Sequence, residues 1–408
     1  MNSDAADIET SAEACAADPT DPPFEVGDIF REYGPGYRAR HKLTREQHQA
    51  LTAIANCRTK ELGGHIEECD HCGYRQNSYN SCRNRNCPKC RASQRSAWVD
   101  ERARELLPIQ YFHIVFTLPE SLLALARYNR LPIYNLLFRI AAETLQTFAQ
   151  NRWDGRLGII MVLHTWGQTL NDHPHVHCIV TGGVLTNDGR RFIRAPKNFL
   201  FPVRALSPVF RQKFIEALDT LHAKGALDLS GQPQLQEPRG WEALRQALYR
   251  HAWVVYAKRP FAEPQILLRY LGRYVNRIAI ANHRIKGIDN GSVSFSYLDN
   301  RDGQDKRMRL PAEEFIRRFL SHVLPARFHR IRFYGFLVNS QREQSLVQCR
   351  ALLGLPDPAE PYIADIDDFL AGQGIDPTLC PKCGQGHLHP VADILPQHDP
   401  PPFYLEAA

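Results

Sequence analysis

The spacing of apolar and polar residues changes period several times along the chain, and each change predicts an element. Leu43 to about Cys57 has Leu51, Ile54 and Ala55 at helical spacing, with Thr44 placed to cap the helix. A helix is also predicted from Arg95 to Leu107, stopped by Pro108. Tyr111-Phe-His-Ile-Val-Phe-Thr-Leu118 is rich in aromatic and β-branched residues and ends at Pro119, which predicts a strand. Helical periodicity returns from about Ser121 to Phe148. Leu157 to Thr169 and His173 to Val180 read as two more strands. Asn171-Asp172 between them suits a two-residue hairpin turn, which would pair Leu170 with His173 and set Gln168 opposite His175.

Further along, Asn187-Asp188-Gly189 turns the chain and Arg191-Phe-Ile193 returns as a short strand. Residues 205–258 are mainly helical in pattern, with a break around Ser230 to Gly240. Gln265 to about Asn282 predicts another helix. Ser292 to Tyr297 alternates with period two, Asn300 to Gly303 turns, and Lys306 to Leu310 returns. Pro311 opens a helix to about Val323, and Arg330 to Leu337 is a last strand. Strands with interspersed helices, lacking a regular strand–helix repeat, indicate an α+β fold with a central, largely antiparallel sheet flanked by helices. The expected division is a disordered acidic tail over 1–35, a small metal-binding domain over 36–107, a catalytic domain over 108–345 and a C-terminal tail over 346–408.

Composition narrows the class. At 408 residues the chain can bury a sizeable core, and 43% hydrophobic against 23% charged residues is ordinary for a globular protein. A net charge of +6, from 50 Lys+Arg against 44 Asp+Glu, permits an anionic partner without requiring one. No apolar run is long enough for a membrane span, and the N-terminus lacks a basic region followed by an apolar one. The expectation is a cytoplasmic protein with no membrane partner.

Of 11 cysteines, five fall in one stretch, His65 to Arg91. Without an export signal, that clustering points to metal binding rather than disulfides. Cys69-x2-Cys72 and Cys87-x2-Cys90 form two knuckles whose thiolates can close a tetrahedral structural zinc site. Cys82 is a fifth thiol; with His65, His71 or Cys57 it leaves the ligand set open between one zinc with a spare cysteine and two zincs. Arg75, Arg83, Arg85, Lys89, Arg91 and Arg95 surround the knuckles, suited to phosphate contact or to a solvated basic face. Near the C-terminus Cys380-Pro-Lys-Cys383, followed by His387 and His389, can bind a second zinc or be an unmetallated turn.

Two further patterns carry chemistry. His175 and His177 alternate on a strand, so their imidazoles share one face and suit a metal ion. Gln168 is the third ligand that the hairpin suggests, with His164 and His173 as alternatives. In Gln265 to Asn282, Tyr270 and Tyr274 are four apart on one helix face, their Cβ atoms about 5–6 Å apart. Arg269, Arg273 and Arg277 run beside them as a basic stripe. Such a helix can be ordinary packing with snorkelling arginines. Beside a histidine-bound metal, a phenol can instead attack a phosphodiester as a covalent nucleophile.

Taken together, several stretches resemble one family. They are Ser81-Cys-Arg-Asn-Arg-Asn-Cys-Pro-Lys-Cys90, Val115-Phe-Thr-Leu-Pro119, His164-Thr-Trp-Gly-Gln-Thr-Leu170, His173-Pro-His-Val-His177, Tyr270-Leu-Gly-Arg-Tyr274 and Arg330-Ile-Arg-Phe-Tyr-Gly335. The His-hydrophobic-His strand with a Tyr-x3-Tyr helix is similar to the HUH single-strand endonucleases. The wider text, over roughly residues 40 to 340, resembles the rolling-circle transposases of the insertion-sequence ninety-one family. The resemblance implies an HUH core that nicks one DNA strand through a 5′-phosphotyrosine on Tyr270 or Tyr274 and transfers it to a target. It also implies a zinc module that helps bind the element's ends. His175 and His177 would hold Mg²⁺ or Mn²⁺; imidazole ligands favour Mn²⁺ and availability favours Mg²⁺. Expected DNA contacts are Arg269, Arg273, Arg277, Arg83 and Arg85. The rivals are a plasmid relaxase or replication initiator of the same chemistry, against which the cysteine module speaks, and a non-catalytic zinc-containing DNA-binding protein.

Overall fold

The structure, a computed structural model, describes residues 23–90, 105–258, 261, 278–299, 301–356, 376 and 378–397. It opens on two helices, α1 (Val26–Arg40) and α2 (Arg45–Asn56). Helix α1 begins inside the stretch expected to be a disordered tail. Val26, Ile29, Phe30 and Tyr37 are buried along it, an apolar face that the acidic composition upstream conceals. Thr44 caps α2 as expected: its hydroxyl accepts from the Gln47 amide at 3.3 Å, while the Gln47 side chain accepts from the Thr44 amide at 3.0 Å. A hairpin of β1 (Gly64–Cys69) and β2 (Arg75–Tyr79) follows.

The middle of the chain supplies β3 (Tyr111–Thr117), α3 (Leu123–Tyr128), α4 (Arg130–Trp153), β4 (Gly155–Trp166), β5 (Asp172–Thr186) and β6 (Phe192–Arg194). Next come α5 (Val203–Ala223), α6 (Pro238–Arg250) and β7 (Val255–Ala257). A three-stranded meander, β8 (Ile285–Asp289), β9 (Ser292–Asp299) and β10 (Gln304–Pro311), leads into α7 (Ala312–Ser321). The chain continues through β11 (Ile331–Gly335), α8 (Arg342–Leu352) and β12 (Leu388–Ile394).

The central sheet runs β11-β4-β5-β3-β7, with β6 also on β5, and every pairing in it is antiparallel. The fold is therefore α+β, as its pattern indicates. One face of the sheet packs Ile159, Met161, Leu163, Val176, Cys178 and Val180 against α4 and α5. Helix α4 contributes Ile133, Leu137, Phe138, Ile140 and Leu145, all buried. Each such side chain stabilises by about 1.5–3 kcal/mol, so this face fixes the sheet firmly. The opposite face carries Tyr111, Ile160, Val162 and Ile179. By strand alternation it also carries His113, His164, His175 and His177.

A second core joins α1 and α2 to the meander and α7, where the ring of Phe30 meets Phe319 edge-on at 5.2 Å. It also buries Leu170, and this overturns the expected hairpin turn. Strand β4 ends at Trp166, which pairs with Asp172, and the turn spans Gly167 to Asn171. Leu170 adopts φ +61° with its side chain fully buried, and its carbonyl accepts from His322 Nε2 at 3.0 Å. Tertiary burial of one leucine thus overrides the local turn preference of Asn171-Asp172. The C-terminal tail carries a strand of its own. Its strand β12 pairs antiparallel with β1, from Cys69 opposite Leu388 to Gly64 opposite Ile394. The predicted helix from Arg95 lies outside the described residues up to residue 104. The predicted tyrosine helix lies outside them up to residue 277, with Arg269, Tyr270, Arg273, Tyr274 and Arg277.

Candidate active site and metal centres

The β4–β5 register builds the histidine site. His164 lies directly opposite His175, and Val162 opposite His177. One ring nitrogen from each of His164, His175 and His177 falls within 4.8 Å of the others, with ring centroids 4.6–5.5 Å apart. Gln168, expected as the third ligand, sits in the turn instead; its carbonyl accepts from Arg284 Nη2 at 2.6 Å. With the turn starting four residues earlier than expected, His164 takes the position opposite His175. His173 is exposed, and its carbonyl accepts from His175 Nδ1 at 2.6 Å, which leaves His175 Nε2 to act as a ligand.

A fourth histidine was not singled out in the sequence. His113 on β3 is fully buried, and its Nε2 lies 2.8 Å from His177 Nδ1. That hydrogen bond engages Nδ1 of His177 and directs its Nε2 to the site, the usual way a neighbouring group fixes a ligand's tautomer. Period-two alternation in Tyr111–Thr117 places His113 on the same face as His175 and His177, and this was the available signal. Burial, with Lys258 and His175 nearby, lowers the His113 pKa to about 3. Burial also holds His177 well below the ordinary imidazole value, helped by His164, His175, His113 and Lys258. Both are neutral at pH 7, the form that binds metals. Trp166 stacks on His164 with centroids 5.0 Å apart and restricts that ring. Three imidazoles with converging nitrogens fit a divalent transition-metal ion.

The cysteines group differently from the expected set. Cys57, Cys82, Cys87 and Cys90 converge, all buried, with Sγ–Sγ distances of 3.5 Å for Cys57–Cys90 and 3.6 Å for Cys82–Cys90. The Cys82 amide donates to Cys57 Sγ at 3.5 Å. A tetrahedral zinc with bonds of about 2.3 Å separates its sulfurs by about 3.8 Å, so this packing suits a thiolate site. Cys82 is thus no spare thiol, and Cys57, just past the end of α2, completes its set. Cys69 and Cys72 stand apart from Cys87 and Cys90 and lie with Cys380 and Cys383. Spacing alone paired the two knuckles with each other because they are neighbours in sequence; the β12–β1 pairing separates them.

The arginines divide as well. Arg85 donates to the carbonyls of Leu324, Pro325 and Phe328 at 2.8–3.0 Å and so ties the cysteine module to the loop before β11. Its guanidinium faces protein carbonyls rather than a phosphate. Arg83 is exposed.

Known proteins share this arrangement of sequence. Residues 29–118 match the transposase zinc-binding domain family, and residues 158–345 match the family described as "Putative transposase". The chain is 47% identical to "Putative transposase y4qJ" of Sinorhizobium fredii over 89% of this chain and 94% of that protein. It is 30% identical to "Transposase for insertion sequence element IS801" of Pseudomonas savastanoi pv. phaseolicola, over 84% of this chain and 83% of the relative. The chain belongs to the insertion-sequence ninety-one family of transposases. No solved structure matches it. In this transposase the Cys57, Cys82, Cys87 and Cys90 group lies within the zinc-binding match, and the histidine strands β4 and β5 lie within or beside the start of the other. Among the described residues no helix is long and apolar enough to cross a membrane.

Proposed function

We propose that this transposase nicks single-stranded DNA at the ends of an insertion element and passes the strand to a target by a rolling-circle route. The observation that carries the reading is the convergence of His164, His175 and His177 on one sheet face. Its second support is the sequence Tyr270-Leu-Gly-Arg-Tyr274, which places two phenols at one helical turn's spacing. A divalent ion held by the three imidazoles, Mn²⁺ or Mg²⁺, would polarise the scissile phosphate.

The chain's own residues do the rest. The phenol oxygen of one tyrosine bonds to phosphorus while the bond to the 3′-oxygen breaks, giving a 5′-phosphotyrosine and, after protonation, a 3′-hydroxyl. The phosphodiester energy is retained, so a 3′-hydroxyl can later attack that phosphotyrosine and release the phenol without ATP. A second tyrosine lets donor and target strands be held alternately. Arg269, Arg273 and Arg277 hold the strand's phosphates near the nucleophiles, and Arg83 contacts DNA from the zinc-binding module. His113 holds His177 in the ligating tautomer. Such a protein works in the bacterial cytoplasm, where its DNA is.

A labelled single-stranded oligonucleotide carrying an element end, offered with Mn²⁺ or Mg²⁺, tests the reading. A covalent protein–DNA adduct is expected from the wild-type chain. It is lost in Tyr270→Phe/Tyr274→Phe; an unchanged adduct in that double variant discards the tyrosine assignment.

A further inference from the structure

Cys69, Cys72, Cys380 and Cys383 come from opposite ends of the chain yet converge on one point. Their sulfurs all lie within 4.8 Å of one another. Cys69 and Cys383 are 3.7 Å apart and Cys72 and Cys380 3.8 Å apart. These are the separations on the edge of a tetrahedron of sulfurs about 2.3 Å from zinc. They are far longer than a disulfide's bond of about 2.05 Å.

We propose that these four thiolates hold a second structural Zn²⁺, distinct from the Cys57, Cys82, Cys87 and Cys90 site, that clasps the C-terminal strand to the N-terminal module.

The two halves are built alike. Each is Cys-x2-Cys-Gly with the glycine in a left-handed conformation, Gly73 at φ +66° and Gly384 at φ +64°. In each, that glycine's amide donates to the carbonyl of the first cysteine, at 3.1 Å to Cys69 and 2.9 Å to Cys380. This sharp turn aims both sulfurs of a knuckle the same way. Backbone amides also point at the sulfurs: His71 donates to Cys69 Sγ and Gly386 to Cys383 Sγ, both at 3.4 Å. Such donors favour the thiolate that a metal needs.

The halves also interlock. A Cβ at Gly386 would lie 2.6 Å from Cys69 Sγ, so the second knuckle's backbone passes directly against the first knuckle's sulfur. His387 and His389, next along the chain, are paired with Asp376 at 3.2 Å and Asp70 at 3.3 Å. That leaves an all-sulfur donor set, whose softness selects zinc over magnesium or manganese.

Packing alone is a poor explanation for the attachment. Among the described residues, the apolar cluster here has only Cys69, Cys380 and Leu388 buried, with Tyr74 and Cys383 against them. Strand β12 exposes Val391, and Leu395 just beyond it is 80% exposed. Beyond the β1–β12 ladder, so small an apolar cluster does little to offset the ordering entropy of the strand, and a metal cross-link is the usual remedy in small modules.

Zinc content of the full-length protein, measured against protein concentration, tests this. Cys380→Ser/Cys383→Ser is expected to lose one zinc equivalent relative to wild type, as is Cys69→Ser/Cys72→Ser. The quadruple variant should lose one equivalent, not two. Amide exchange across Leu388–Ile394 should speed up in the C-terminal pair variant while exchange in β4 and β5 stays as in wild type. Unchanged zinc in Cys380→Ser/Cys383→Ser, two equivalents lost in the quadruple variant, or unchanged protection of β12 overturns the proposal. Should Cys69→Ser/Cys72→Ser fail to fold, the C-terminal pair, remote from the central sheet, decides alone by the same criteria.

Discussion

His322 links acidity to the position of the histidine hairpin, and its effect can be worked out. The residue follows α7, is buried, and uses both ring nitrogens: Nε2 donates to the Leu170 carbonyl at 3.0 Å and Nδ1 accepts from the Thr165 hydroxyl at 3.2 Å. Both bonds are satisfied by the neutral ring. Burial lowers its pKa to about 4; the Leu170 bond and Asp172 oppose that shift, and Arg130 and Arg317 reinforce it. An unfolded histidine titrates near about 6.5. On acidification the unfolded chain therefore binds a proton that the folded chain refuses. The contribution is intact above about pH 6.5, falls through the interval below it, and levels off near pH 4. Between pH 7 and pH 5 the loss is about 2 kcal/mol from this residue. His113 and His177 act in the same direction, so the test must be a difference. Urea denaturation at both pH values, on wild type and on His322→Gln, isolates the contribution, because glutamine can keep donor and acceptor but does not titrate. The drop in stability between pH 7 and pH 5 should be smaller in the variant by about 2 kcal/mol, with the denaturant slope unchanged. Equal drops in the two proteins would refute the argument.

Four more outcomes follow from the structure. Calorimetric titration with Mn²⁺ should show His164→Ala weakened by at least about tenfold, His113→Phe by about 10–100-fold, and Gln168→Ala little changed. A larger loss for Gln168 than for His164 would restore the expected hairpin. Arg85→Ala should lower stability by about 2–3 kcal/mol, since three carbonyls lose a charged donor, yet leave the salt dependence of DNA binding as it was. Arg83→Ala should instead reduce the slope of that dependence by about one counterion at little cost in stability. Gly335→Ala should cost more than about 1 kcal/mol by thermal melting, because φ is +65° and the new Cβ would lie 1.7 Å from the Leu157 carbonyl.

What the sequence revealed depended on whether a feature is local. The antiparallel sheet, the Thr44 cap and the shared face of His175 and His177 follow from periodicities of two and 3.6, and the structure keeps them. The third histidine does not follow, because a hairpin's register depends on where its turn sits. Leu170 settles that by entering a core built from α1, α2 and α7, elements remote in sequence. Moving the turn from 171–172 to 167–171 exchanges Gln168 for His164 opposite His175, so one buried leucine decides which side chain faces His175.

The cysteines repeat the lesson on a larger scale. Each knuckle is legible as Cys-x2-Cys, but nothing in that spacing says which knuckle meets which. Adjacency suggested that Cys69 and Cys72 join Cys87 and Cys90; strand pairing over some three hundred residues joins them to Cys380 and Cys383. Counting thiols carries more than adjacency here. Eight of the 11 cysteines, Cys57, Cys69, Cys72, Cys82, Cys87, Cys90, Cys380 and Cys383, make two complete sets of four. A single site would leave four of these thiols clustered beside one another without a metal, whereas two sites account for all eight.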